Sequence, residues 1–301
     1  MTRKRFEWKL RDRTLNLGDR TLIFGVLNVT PDSFSDGGDY QDPDRAFARA
    51  IQLEELGADV IDIGAESTRP GSARISEAEE LRRLVPVLKR LRGKLSIPIS
   101  VDTYKANIAE KAFEFGVEII NDPSALTFDA DLARKVAHAN AGLVLNHMRG
   151  TPETWAKLPP LKDLIRTVRG ELDAAAHRAA LAGVDRKRIV VDPGLGFGKR
   201  REQNAEIIAQ LSELARLELP VLAGPSRKHF VAKESTDLTE FATAAAVTAA
   251  ILHGAHMVRV HDVKAMKAVA EVADEILRGD AANASDKPDS NVSHGQLRRP
   301  S

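Results

Sequence analysis

From Leu22 to Leu277 short apolar, β-branched runs alternate with longer stretches of helical periodicity, and this alternation predicts βα units and a parallel sheet. The runs fall at about Leu22–Asn28, Asp59–Gly64, Ile97–Asp102, Val117–Asn121, Gly142–His147, Ile189–Asp192, Val221–Gly224 and Met257–His261. Eight such units in an α/β chain of this length point to one TIM-type (β/α)8 barrel rather than an open sheet. The segments between them carry helix signals. Asp44 to Leu56, for example, places Ala46, Phe47, Ala50, Ile51 and Leu53 at helical spacing and stops at Gly57. Ahead of the first barrel strand, Phe6, Trp8 and Leu10 alternate with charged residues and Gly18-Asp19 supplies a turn. Residues 3–21 are therefore expected to form a hairpin that plugs the bottom of the barrel. From Gly279 onward the chain has no aromatic residue and is rich in Ala, Asn, Asp, Ser and Pro. That composition predicts a disordered tail over 279–301 behind a barrel domain spanning 1–278.

Two of the runs empty into long polar loops, as barrel strands do where they enter an active site. The first is Gly25-Val26-Leu27-Asn28-Val29-Thr30-Pro31-Asp32-Ser33-Phe34-Ser35-Asp36-Gly37-Gly38. The second is Val60-Ile61-Asp62-Ile63-Gly64-Ala65-Glu66-Ser67-Thr68-Arg69-Pro70-Gly71. Asn28, Asp102, Asn121, His147, Asp192, Arg259 and His261 all fall at expected strand ends. One such residue alone reads as a cap or a turn, whereas seven together read as a site. Buried, Asp102 and Asp192 are costly without partners. Arg259 and His261 lie two apart, on one side of the last strand, and form an anion site beside a helix that Asp262 is placed to cap. Arg69, next to Thr68, is a further anion-facing candidate. Gly194, Gly196 and Gly198 lack the dinucleotide-binding spacing and read as a tight turn that also permits close approach to a flat ligand.

Composition narrows the chemistry. The 301 residues carry 44 Lys and Arg against 43 Asp and Glu, a formal charge of +1, so no broad field favours nucleic acid or a membrane surface. With no cysteine, thiolate ligands, disulfides and a cysteine nucleophile are excluded. The basic N-terminus lacks the apolar core of a secretory signal, and no run is long enough to span a membrane. A cytoplasmic protein is the expectation.

The two polar-loop segments resemble the two signature segments of the dihydropteroate synthase family, and the similarity extends over most of the chain. The resemblance implies condensation of 6-hydroxymethyl-7,8-dihydropterin diphosphate with 4-aminobenzoate, giving 7,8-dihydropteroate and pyrophosphate. It implies that Asp102, Asn121, Asp192 and Lys228 bind the pterin and that Ser226 lies beside the aminobenzoate. It also implies that Arg259 lies against the pterin face and that Asn28 holds Mg2+ together with the diphosphate. Chemically this is sensible. The pterin edge resembles a guanidinium that a carboxylate can accept from twice, and Mg2+ takes much of its coordination from water and phosphate. Thr68, Arg69, Arg259 and His261 then face the leaving pyrophosphate. A homodimer is a common family property, and the Ala-rich helix around Phe241–Leu252 could serve it or simple intrachain packing. Three positions depart from the family pattern: Asn146 where methionine is common, Pro123 where valine is common, and Pro225 before Ser226-Arg227-Lys228. The alternatives are a pterin-dependent methyltransferase, which has no need of a pyrophosphate site, and a non-catalytic pterin-binding paralogue.

Overall fold

In the computed structural model, which describes residues 3–30, 43–67 and 71–285, with side chains as far as residue 279, each apolar run is a strand and each periodic stretch a helix. The chain begins with a two-stranded antiparallel ribbon, β1 (Phe6–Lys9) and β2 (Thr14–Leu17). The barrel follows as β3 (Leu22–Asn28), α1 (Pro43–Glu55), β4 (Val60–Gly64), α2 (Glu77–Leu91), β5 (Ile99–Asp102), α3 (Ala106–Phe113), β6 (Ile119–Asp122) and α4 (Leu132–Ala139). It continues through β7 (Gly142–Asn146), α5 (Leu164–Leu181), β8 (Ile189–Asp192), α6 (Arg201–Ala209), β9 (Leu222–Ala223), α7 (Thr236–Leu252), β10 (Met257–Val260) and α8 (Val263–Ser285). Neighbouring strands pair in parallel and in chain order from β3 to β8, and β10 joins β3 to β9. A single parallel bridge between Val191 and Val221 closes the remaining seam, so the eight strands form a barrel.

Strand alternation sorts the core into two regions. Outward residues such as Ile61, Val101, Leu143 and Val258 pack under the helices. Inward residues at the strand starts, among them Leu22, Phe24, Val60, Val144 and Met257, form a separate cluster with Trp8, Leu10 and Leu17 of the ribbon. The ribbon therefore is the plug expected from its alternation. Trp8 is fully buried, stacks on Phe24 with ring centroids 6.1 Å apart, and donates its indole N–H to the Arg188 carbonyl at 2.8 Å. Gly142 makes the fit possible, because a Cβ there would stand 2.6 Å from Leu10 and 3.1 Å from Trp8.

Two boundaries differ from the sequence reading. The ribbon reverses at Leu10–Arg13, where the Leu10 N–H bonds the Arg13 carbonyl at 2.8 Å, and Gly18 (φ 113°) instead marks the bend between β2 and β3. Hydrophobic alternation locates strands well, but a turn made by charged residues leaves no Gly or Pro signal. Helix α8 runs on through Ser285, past the expected start of the tail at Gly279, because Ala-rich sequence propagates an existing helix at little cost. The rest of the tail expectation lies outside the described residues.

His256 ties the floor to the N-terminal segment. Its Nδ1 accepts the Val221 N–H at 3.1 Å and its Nε2 lies 3.0 Å from the Lys4 carbonyl, an arrangement that requires the neutral ring. Burial lowers its pKa to about 4. In the unfolded chain the ring takes a proton near its ordinary value, so stability is complete above about pH 6.5 and falls as pH drops towards 4, by about 3 kcal/mol. Denaturant melts of wild type and His256→Gln across that range should show a shallower decline in the variant; identical slopes would remove this ring as a cause.

Candidate active site

The same alternation that fills the floor decides what lines the opposite end. Ile63, Val101, Ile120, Leu145, Val191, Val258 and Val260 point out into the helix layer. Their neighbours Asp62, Asp102, Asn121, Asn146, Asp192 and Arg259 therefore turn inward at the C-terminal ends of the strands. A pocket opens there, lined by Asp102, Asn121, Pro123, Asn146, Asp192, Leu195, Phe197, Gly224, Lys228 and Arg259. Expected residues from four strands and one loop thus meet in one place.

Arg259 crosses the barrel interior. Its Nε donates to Asp62 Oδ2 at 2.6 Å and its Nη2 to Asp102 Oδ2 at 3.0 Å. Burial disfavours its charge, but the two carboxylates outweigh burial and hold it above the ordinary arginine value. Asp62 also accepts from Asn121 Nδ2 at 3.3 Å, and its Oδ1 has no partner among the described residues. Burial pushes Asp102 upward, with Arg259 opposing. Asp192 accepts the Gly194 N–H at 2.7 Å, and burial raises its pKa to about 6. Lys228 lies 4.0 Å from the Phe197 ring centroid, with its pKa lowered to about 8 by burial first and Arg259 second. The pocket thus sets carboxylate and amide acceptors on one arc against two buried cations.

The loops that carry these groups are held by buried polar contacts. Lys199, whose pKa burial lowers to about 7, donates to the carbonyls of Gly194 (2.8 Å), His147 (3.1 Å) and Phe197 (3.2 Å). At Gly194 (φ 68°) a Cβ would stand 1.8 Å from the His147 carbonyl oxygen, and at Gly196 (φ 82°) it would stand 3.0 Å from Lys228. The glycines thus allow the loop to approach its protein neighbours closely. After β6, Asp122 accepts from Ser124 N at 2.8 Å, Ser124 Oγ at 2.7 Å and Leu126 N at 2.5 Å. Those bonds hold Ala125 (φ 49°) and Leu126 (φ 64°) in the left-handed region and present Pro123 to the pocket. On the far side Lys105 donates to Glu66 (2.8 Å), Glu80 (2.6 Å) and the Ile75 carbonyl (2.8 Å). It clamps both stems of the second polar loop.

The remaining expected residues are placed as follows. Asn28 ends β3 beside Gly64, where an added Cβ would sit 3.5 Å from its Oδ1. Ser226 and His261 meet at the rim, with Oγ 2.9 Å from Nδ1 and accepting the His261 N–H at 3.2 Å. Asp262 caps α8 through the Ala265 N–H at 3.0 Å, as its position foretold. Thr68 and Arg69 lie outside the described residues. One reading is corrected. Strand β7 ends at Asn146, which alternation turns to the pocket, while the expected His147 turns away and sits 2.9 Å from Glu171 of α5. Ser226-Arg227-Lys228 lies between β9 and α7. It forms a turn with Arg227 at φ 56°, and α7 starts at Thr236 behind its cap Ser235. Asp62 was missed, although its place two residues before Gly64 in an otherwise apolar strand put it on the inward face.

The arrangement agrees with what comparison with known proteins finds. Residues 24–261 match the family model described as "Pterin binding enzyme". A dihydropteroate synthase from Synechocystis is 43% identical over 265 residues, covering 87% of this chain and 92% of the relative. Among solved structures, a Clostridium difficile dihydropteroate synthase with pteroic acid superposes with a TM-score of 0.81 at 40% identity, covering 86% of this chain and 98% of the other. The Xanthomonas albilineans dihydropteroate synthase with 4-aminobenzoic acid gives 0.82 at 37% identity, covering 95% and 100% respectively. With the pterin-binding model spanning most of the chain and relatives this similar aligned nearly end to end, the chain belongs to the dihydropteroate synthase family.

Proposed function

We propose that this chain condenses 6-hydroxymethyl-7,8-dihydropterin diphosphate with 4-aminobenzoate to give 7,8-dihydropteroate and pyrophosphate. The observation that carries the reading is the inward arc of Asp102, Asn121 and Asp192 facing Lys228 and Arg259. A flat ring with a guanidine-like edge and a carbonyl complements that arc. Asp192 accepts two parallel N–H bonds, Asn121 donates to a ring nitrogen, and Lys228 donates to the carbonyl. In the reaction the neutral aromatic amine attacks the exocyclic methylene and the C–O bond to the diphosphate breaks, its electron pair leaving with pyrophosphate. The amine then sheds one proton. No strong base is required, so catalysis rests on orienting the ring and neutralising charge on the leaving group.

Arg259 is engaged by Asp62 and Asp102. A ring N–H arriving at Asp102 replaces the Nη2 donor and leaves that nitrogen able to turn towards the diphosphate. Arg69 and His261 join it there, Thr68 binds alongside, and Ser226 lies beside the aminobenzoate. Mg2+ belongs to this reading as well. Among the described residues no group of three His, Cys, Asp or Glu forms a cage, and the neutral Asn28 amide suits a hydrated ion that shares phosphate oxygens. Asn28 would hold it, and the ion would supply charge to the leaving group. We further propose a cytoplasmic homodimer. Phe241 and Leu238 on α7 and Val272 and Ile276 on α8 are exposed on two helices that pack together. Among the described residues, no helix is long and apolar enough to cross a membrane.

Incubation with both substrates and Mg2+ should release pyrophosphate and dihydropteroate in equal amounts. Lys228→Met should weaken pterin binding by about 10- to 100-fold, the cost of one charged hydrogen bond. Tight pterin diphosphate binding without either product would favour the non-catalytic paralogue. The pH dependence follows from the two shifted groups. Asp192 loses its acceptor charge below about 6 and Lys228 its donor charge above about 8. Affinity for a pterin without diphosphate, measured by calorimetry, should therefore peak between these values and fall about tenfold per pH unit outside them. A flat profile would take both groups out of ring recognition.

A further inference from the structure

Asn146 is 5% exposed and stands in the pocket wall on β7, directly paired in register with Asp192 on β8. Its Nδ2 donates to the Pro123 carbonyl at 3.0 Å. That bond fixes the orientation of the amide. A carbonyl can only accept, so turning the group over would set two acceptors against each other. Oδ1 is thereby directed away from Pro123. It takes no hydrogen bond from any described residue, and it is not among the buried polar atoms sealed without a partner. It opens on the pocket as an acceptor beside Asp192.

The place of that oxygen suggests what it reads. A carboxylate that takes a guanidine-like edge receives one hydrogen from the ring N–H and one from the exocyclic amine. The amine keeps a second hydrogen pointing away from the carboxylate, and in a buried pocket an unpaired donor is costly. Of the two strands flanking β8, β9 leads to Gly224, which has no side chain, and β7 presents Asn146. Resting on the pterin reading given above, we propose that Asn146 is a specificity-determining residue that selects a primary amino group on the heterocycle, accepting its second N–H while Asp192 takes the first. The Pro123 carbonyl is the positioning group that aims it.

The test is a ratio of affinities. Binding of 6-hydroxymethylpterin and of its 2-methylamino analogue is measured by calorimetry on the full chain, for wild type, Asn146→Met, Asn146→Leu and Pro123→Ala. Wild type should prefer the primary amine by about tenfold, the value of one satisfied hydrogen bond. Asn146→Met should bring the two affinities to within about twofold, and Asn146→Leu should do the same if the methionine variant does not fold. Pro123→Ala keeps the backbone carbonyl and should keep the wild-type ratio. Mere loosening of the wall weakens both ligands together and leaves the ratio alone. An equal ratio in wild type and the Asn146 variants would therefore overturn the proposal even if absolute affinities fell. Failure of wild type to bind either ring would overturn the pterin reading itself, and this proposal with it.

Discussion

Arg259 is a full charge inside a barrel, and the site is organised around the need to compensate it. Its Nε and Nη2 engage Asp62 from β4 and Asp102 from β5, so one guanidinium ties β10 to two strands beyond β3. Removing either carboxylate would leave a buried cation short of a partner, and such a loss costs more than a surface pair contributes. The guanidinium also opposes the upward push that burial exerts on Asp102. Lys228 stands in a similar relation to Asp192, although no direct bond joins them. The pocket can therefore offer charged acceptors and charged donors together while largely shielded from water.

Such a site needs its loops held still, and the chain does this with buried polar groups rather than apolar packing alone. Lys199 uses three N–H donors on three carbonyls, which satisfies the ammonium and stiffens the Gly194–Gly198 turn. Lys105 serves the second polar loop with two carboxylates and a carbonyl. Asp122 holds two consecutive non-glycine residues in left-handed conformations that would otherwise cost of order 1–3 kcal/mol each. Strain and desolvation are concentrated at the strand ends, while the floor beneath is sealed by Trp8 and its apolar neighbours.

Much of this was legible in the residue order. The β-branched runs located all eight barrel strands to within two residues at every end, because a strand buried on both sides must be apolar almost throughout. Polar residues breaking those runs near their ends marked Asp102, Asn121, Asp192 and Arg259 as inward candidates. The ribbon was visible from its alternation, while its turn was not, since Leu10–Arg13 closes with charged side chains and without glycine. Asp62 was overlooked because a lone acid in a strand is ambiguous until its partner is known, and that partner is 197 residues away.

By itself the sequence determined the fold class, the order of the elements and the kinds of group at the site, all of which follow from local periodicity and composition. Tertiary structure decided which of these groups touch. On β7 Asn146 faces the pocket and His147 lies against α5, because adjacent residues of a strand face opposite sides, and the closed barrel decides which of the two sides holds the pocket. Closing the barrel brings Arg259 to Asp62 and Asp102, and no local pattern encodes that meeting. Sequence periodicity reports the direction of a side chain relative to its own strand; its partner depends on how all eight strands close around a common axis.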